Sequence, residues 1–143
     1  MTNVRRISAS AELEVRFPEV DGQGVVWHGN YLRYLELGRD AVLGLGGLRP
    51  SDVLRAGYAA PVVSCDIFYR APLRLDDRAR IEAELLWEGI PRLDFEYKVI
   101  RRNDGVLVAE GKTRQVLTDR EGKLVLAIPE FLRAWADRCG LHE

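Results

Sequence analysis

The sequence predicts an α+β fold in which one long helix lies against a curved antiparallel sheet. Three observations predict it. The stretch from Tyr31 to Leu45 repeats its apolar residues at helical spacing, four stretches after Pro61 carry apolar residues in strand-like runs, mostly at period two, and short turn signals join those strands into a meander. Strands joined by tight turns pair antiparallel, and a helix with an apolar stripe must bury it against the sheet they form.

Residues 11–17, AELEVRF, alternate and read as a first strand, with Leu13, Val15 and Phe17 on one face and Pro18 at its end. The loop 18–29 holds Gly22, Gly24 and Gly29, which permit positive φ and close backbone approach. In the helix, Tyr31, Tyr34, Leu35, Gly38, Ala41, Val42 and Leu45 follow the i, i+3, i+4, i+7 rule. Asn30 is placed to cap its start, and Gly46-Gly47 to stop it. Gly38 falls on the apolar stripe, where glycine costs about 1 kcal/mol against alanine, so a neighbour is expected to pack very close. Bulk on both faces predicts a helix largely enclosed by other structure. Residues 50–57 read as a short helix with Pro50 at its start. Strands are expected over 62–70, 78–88, 92–102 and 106–119. In the second of these Ala79, Ile81, Ala83, Leu85 and Trp87 share a face, as do Leu93, Phe95, Tyr97 and Val99 in the third. Gly89-Ile90-Pro91 and Asn103-Asp104-Gly105 supply turns between them. A helix over 128–140, with Pro129 near its first turn, follows.

A length of 143 residues suits a single domain, 1–143, with one sizeable core. Hydrophobic content of 47% and charged content of 30% are those of an ordinary globular chain. A formal net charge of −1 argues against a nucleic-acid partner. No apolar run approaches the roughly 18–20 residues of a membrane span, and the opening MTNVRRISASAELEV has no apolar signal-peptide core. Cys65 and Cys139 lie far apart without metal-ligand spacing, so a reduced, cytoplasmic protein is expected. Lys98, Lys112 and Lys123 are the only lysines; the remaining cations are arginines, suited to bidentate phosphate contacts.

The stretch VDGQGVVWHGNYLRYLELGRD, residues 20–40, sets Asp21 in a glycine-rich loop just ahead of the long helix. A carboxylate there can close an Asx turn, pair with a cation, or act on a substrate held at the helix N-terminus. Residue types alone leave all three open. No serine elbow and no zinc-like cluster of His, Cys and Asp appears, and His142 reads as a solvated terminus.

Three stretches carry a resemblance that extends over nearly the whole chain: DGQGVVWHGNYLRYLELGR, PVVSCDIFYRAPLRLDD and EGKTRQVLTDREGKLVLAIP. They resemble the hotdog fold, and within it the 4-hydroxybenzoyl-CoA thioesterase family with its YbgC-like acyl-CoA thioesterase branch. The first stretch is the specific one; the others mainly describe the fold. The resemblance implies hydrolysis of a small or medium acyl-CoA, aliphatic or aromatic, without metal or bound redox cofactor. Asp21 matches the catalytic carboxylate, acting as nucleophile or general base. His28 matches the residue at the helix N-terminus whose backbone N–H polarises the thioester carbonyl. Trp27, Asn30 and Tyr31 become substrate-binding candidates beside it, with core packing the other role open to Trp27. Arg92 matches a position used for phosphate contact, against the alternative of a solvated strand end. The resemblance further implies a homodimer or homotetramer, with Ser64, Cys65 and Asp66 supplied to the site by a second subunit. Two departures stand out: Phe17 replaces a tyrosine four residues before the aspartate, and Gly29 replaces an alanine or proline, which loosens the turn. The alternatives are hydrolysis of acyl groups from acyl carrier protein and a non-catalytic acyl-CoA-binding module. A hotdog dehydratase is disfavoured, because its His/Asp arrangement on a longer motif is missing.

Overall fold

A computed structural model describes residues 4–141, so His142 lies outside the described residues. Strand β1 (Arg5–Glu14) leads through two 3-10 turns, Phe17–Glu19 and His28–Asn30, into helix α1 (Tyr31–Gly44). Helix α2 (Pro50–Arg55), strands β2 (Val62–Tyr69), β3 (Arg78–Trp87), β4 (Arg92–Arg101) and β5 (Leu107–Val116), and helix α3 (Glu130–Arg138) follow. The strands form one antiparallel sheet in the order β1-β3-β4-β5-β2. This is the expected α+β hotdog architecture.

The first strand differs from its expectation. It begins at Arg5 rather than Ala11 and ends at Glu14, so Phe17 opens a 3-10 turn and is 76% exposed. An edge strand with alternate residues in solvent tolerates the polar run RRISAS, which carries little apolar signal. On β3 and β4 the period-two reading holds: Ala79, Ile81, Ala83, Leu85, Trp87, Leu93, Phe95, Tyr97 and Val99 are all buried.

Helix α1 crosses that apolar face at Gly38. A Cβ placed there would lie 2.9 Å from Ile81 Cγ2 and 3.0 Å from Ala83 Cβ, so helix and sheet meet at the distance glycine permits. At the helix end Leu48 N–H donates to Leu43 O at 3.1 Å and Gly47 N–H to Gly44 O at 3.0 Å, with Gly47 at φ 74°. That is a Schellman stop. The Trp135 indole of α3 also donates to Leu43 O, at 2.7 Å, and covers the same end.

The expectation of a fully enclosed helix is corrected. Leu32 and Leu37 of α1 face solvent, uncovered among the described residues, and Leu45, expected on the buried stripe, lies just past the end of α1 and is exposed as well. Strand β2 is likewise open: it pairs only with β5, and of its eight residues all but Ile67 are exposed. Among the described residues no helix is long and apolar enough to cross a membrane.

The close approach at Gly38 sets the first prediction. Gly38→Val should lower unfolding stability by about 1–3 kcal/mol, as overpacking does in dense cores, despite valine's better helix propensity. Denaturant titration reads this directly, and a variant as stable as the native chain would show that helix and sheet have room to separate.

Candidate active site

The site is built from a narrow hairpin and the start of α1. Val20 bridges Val26, Asp21 N–H donates to Val25 O at 2.8 Å, and Gly24 N–H returns to Asp21 O at 3.0 Å. The Asp21 side chain takes part in its own turn. Its Oδ1 accepts from Gln23 N–H at 2.8 Å and from Val25 N–H at 3.4 Å, an Asx turn. Among the described residues Oδ2 has no hydrogen-bond donor, and the residue is exposed. The Asx-turn reading therefore holds: one oxygen orients the carboxylate, and the other has no partner among the described residues.

The hairpin is docked at both ends. Val26 N–H donates to Leu73 O at 2.8 Å and Val25 bridges Arg74, tying it to the β2–β3 connection. Trp27 N–H donates to Glu19 O at 2.9 Å, and the Asn30 side-chain amide donates to the same oxygen at 2.8 Å. The expected N-cap role of Asn30 is thereby corrected. Its backbone is already helical, and its side chain reaches back to the hairpin instead of the helix's own amides.

A 3-10 turn leads into α1. Asn30 N–H bonds Trp27 O at 2.9 Å and Tyr31 N–H bonds His28 O. The backbone N–H groups of His28 and Gly29 have no acceptor among the described residues. They stand at the positive end of α1 as unpaired donors. From β2, the Tyr69 hydroxyl donates to His28 O at 2.8 Å and fixes this peptide from behind. Tyr31 is buried, and burial pushes its hydroxyl up to about 12. The Tyr34 hydroxyl is buried without a hydrogen bond, and burial followed by the neighbouring Glu19 carboxylate raises it further.

Trp27 is half in solvent, 51% exposed, so it is no core residue. Its ring lies over Gly29, where a Cβ would overlap it, and 4.9 Å from the His28 ring centroid. The expectation that Gly29 loosens the turn is corrected: the indole occupies the room an alanine or proline would need.

The remaining candidates lie elsewhere in the chain. Cys65 pairs with Thr113 and so points to the helix side of the sheet, while Ser64 and Asp66, paired with Arg114 and Lys112, point to the other. The three do not share a face. Burial pushes the Cys65 thiol up, with Asp66 adding to it. Arg92 bonds Asp94 at 3.1 Å and Glu88 at 3.5 Å, and is 29% exposed. It pairs with Val116, seven residues along β5 from the Ala109 that pairs with Tyr69, or roughly 24 Å at strand rise. Within one chain Arg92 is remote from Asp21. Tyr69 is the residue that sequence reasoning missed. Its signal lay inside PVVSCDIFYRAPLRLDD, a stretch read mainly for fold and, for the site, only at Ser64, Cys65 and Asp66.

The sequence pattern of the thioesterase-like superfamily matches residues 15–136. The chain belongs to the thioesterase-like superfamily. Among its relatives is YneP of Bacillus subtilis, named as a candidate acyl-CoA thioesterase, 41% identical over 68 residues; the match spans 48% of this chain and 49% of the relative. A candidate esterase of Aquifex aeolicus is 30% identical over 123 residues, covering 86% of this chain and 94% of the relative. The solved DHNA-CoA thioesterase of Staphylococcus aureus superposes with a TM-score of 0.82 at 21% identity, over 94% of this chain and 92% of that one, which establishes the shared fold.

The contact between Trp27 and Gly29 generates a second prediction for this superfamily member. Gly29→Ala should destabilise the protein alone and much less in a Trp27→Ala background, with a coupling of roughly 0.5–3 kcal/mol in the double-mutant cycle. Additive effects would place the indole away from Gly29.

Proposed function

We propose that this thioesterase-superfamily protein hydrolyses acyl-CoA thioesters at the start of α1, with Asp21 as the attacking or base group. One observation carries the reading: two unpaired backbone donors, on His28 and Gly29, border a hairpin that holds a carboxylate with one free oxygen. The name of the Bacillus subtilis relative supports the substrate class.

The chemistry follows from those groups. The thioester carbonyl oxygen takes the place of a missing acceptor at the helix N-terminus, where negative charge is stabilised as the tetrahedral intermediate forms. Losing one such donor costs about 2.7–4 kcal/mol in enzymes where it has been removed. Asp21 Oδ2 either bonds the carbonyl carbon directly, giving a mixed anhydride that water then hydrolyses, or takes a proton from a water that attacks. In both routes the C–S bond breaks, the coenzyme leaves as thiolate, and the proton from water ends on its sulfur. Asx-turn anchoring of Oδ1 keeps the carboxylate pointing one way throughout.

A second copy completes the site in this reading. Strand β2 exposes Val62, Val63, Phe68 and Tyr69 on an unpaired edge. Monomeric proteins avoid presenting an apolar edge of this kind. Antiparallel pairing of β2 with its copy sets the Tyr69 end of one subunit beside the Val62 end of the other. The Val62 end is also the Arg92 end of the sheet, since Gln115 pairs with both Val62 and Leu93. Arg92 of the partner subunit then reaches the coenzyme phosphates that its own subunit's site cannot offer it.

Asp21→Asn should lower kcat on acyl-CoA at least about a hundredfold, the scale of a lost acid–base group, and His28→Ala should be milder because its backbone N–H survives. Free-thiol release assays on a panel of aliphatic and aromatic acyl-CoAs measure both. Wild-type turnover in folded Asp21→Asn refutes the assignment, and tight acyl-CoA binding without hydrolysis by the native chain would favour the binding-module reading.

Assembly gives a further expectation. Inactive Asp21→Asn subunits mixed with subunits altered at Ser64–Asp66 should recover activity, since a mixed dimer rebuilds one intact site. A fully active monomer in light scattering at assay concentration would end the shared-site account.

A further inference from the structure

Three layers of side chains run along the flank of α1 that faces β2, mostly buried on the helix and largely exposed on the strand. Tyr31 meets Tyr69 edge-on with ring centroids 5.1 Å apart. Leu35 and Ile67 both lie against Gly111, whose missing side chain would stand 3.2 Å from Leu35 Cδ1 and 3.7 Å from Ile67 Cγ1. The third layer is polar. Arg39 lies within electrostatic reach of the Cys65 thiol and donates to the Tyr97 hydroxyl at 3.4 Å, which in turn shares a 2.7 Å hydrogen bond with Thr113 Oγ1.

Arg39 is the anomaly. Its side chain is only 12% exposed, and the nearest carboxylate among the described residues is Glu36 at 3.7 Å, itself 62% exposed. A guanidinium carries five donors in a planar fork that fits a carboxylate bidentately. Holding such a cation away from water with two long contacts is costly, and an acceptor supplied from outside would relieve it. Every other layer of this groove is apolar or aromatic, so the cation marks its far end. That end lies eight residues along α1 from Tyr31, about 12 Å at helical rise.

We infer that the groove between α1 and β2 receives the acyl chain and that Arg39 selects chains ending in a carboxylate. This rests on the thioesterase reading of Asp21 and the α1 N-terminus. The thioester carbonyl sits at the start of the helix, the methylenes pass Tyr31, Leu35 and Ile67, and the distal carboxylate meets the Arg39 fork above Tyr97. A methyl terminus of the same length would leave the cation with only its long contacts to Glu36 and Tyr97. An ω-carboxylate gives it a close, bidentate charge-assisted pair in place of the long one to Glu36.

The test compares adipyl-CoA and suberyl-CoA with hexanoyl-CoA and octanoyl-CoA on native protein, Arg39→Met and Arg39→Gln. The readout is the ratio of kcat/KM between ω-carboxy and methyl-ended substrates of equal length. Native protein should favour the ω-carboxy member, and the ratio should fall at least tenfold in either variant shown by circular dichroism to be folded. An unchanged ratio overturns the inference. So does an equal loss on all four substrates together with dissociation of the assembly, which would make Arg39 an assembly residue. If native protein hydrolyses none of the four, the wider panel of aliphatic and aromatic acyl-CoAs decides the thioesterase reading separately. Calorimetric binding of the same thioesters then still decides: a tenfold fall in the Kd ratio upholds the Arg39 pocket, and an unchanged one rejects it.

Discussion

The backbone carbonyl of Glu19 accepts two hydrogen bonds, from Trp27 N–H at 2.9 Å and from the Asn30 side chain at 2.8 Å, and the geometry of the site depends on that double acceptance. Between Glu19 and Trp27 the chain makes its hairpin, so this oxygen closes the loop that carries Asp21. Through Asn30 the same oxygen fixes where α1 begins. Carboxylate and helix terminus are thus referenced to one atom rather than to two independent loops. A capping side chain turned onto its own helix would have consumed amides at that terminus. By reaching backwards, Asn30 anchors the turn just after the N–H groups of His28 and Gly29, which have no acceptor among the described residues.

The second constraint is the thinness of the helix–sheet interface at Gly38. Close approach there lowers the whole helix onto β3, while Tyr69 reaches from β2 to the carbonyl of His28. The N-terminus is therefore held from the sheet side. The outer side of α1 and the edge of β2 remain uncovered in one chain. The Tyr69 contact to His28 O places the candidate site on the same flank as the unpaired edge of β2.

Much of this was legible in the sequence. Period-two burial in β3 and β4 and period 3.6 in α1 follow from side-chain geometry, and most of the residues they place inside are inside; Leu45, past the helix end, is exposed instead. Gly38 announced a close contact simply by being glycine on an apolar stripe. What sequence could not show were contacts between distant elements. The partner of Asn30 is a carbonyl 11 residues upstream, and the partner of Tyr69 lies 41 residues away, so no local pattern encodes either. The start of β1 was invisible for a different reason, since an edge strand of alternating Arg, Ser and Ala carries too little apolar contrast. Gly29 was misread because its steric partner, the Trp27 ring two residues earlier, is a matter of rotamer and not of composition.

The central claim is that the unpaired amides of His28 and Gly29 and the free oxygen of Asp21 address the same carbonyl group. The most direct measurement is a crystal structure of the protein with an acyl-CoA analogue in which a methylene replaces the thioester sulfur. This account predicts the ketone oxygen within hydrogen-bond distance of the His28 or Gly29 N–H, with Asp21 Oδ2, directly or through one water, on the face of the carbonyl carbon. A ketone bound away from the start of α1, or an Asp21 carboxylate turned entirely into its own loop, would contradict it.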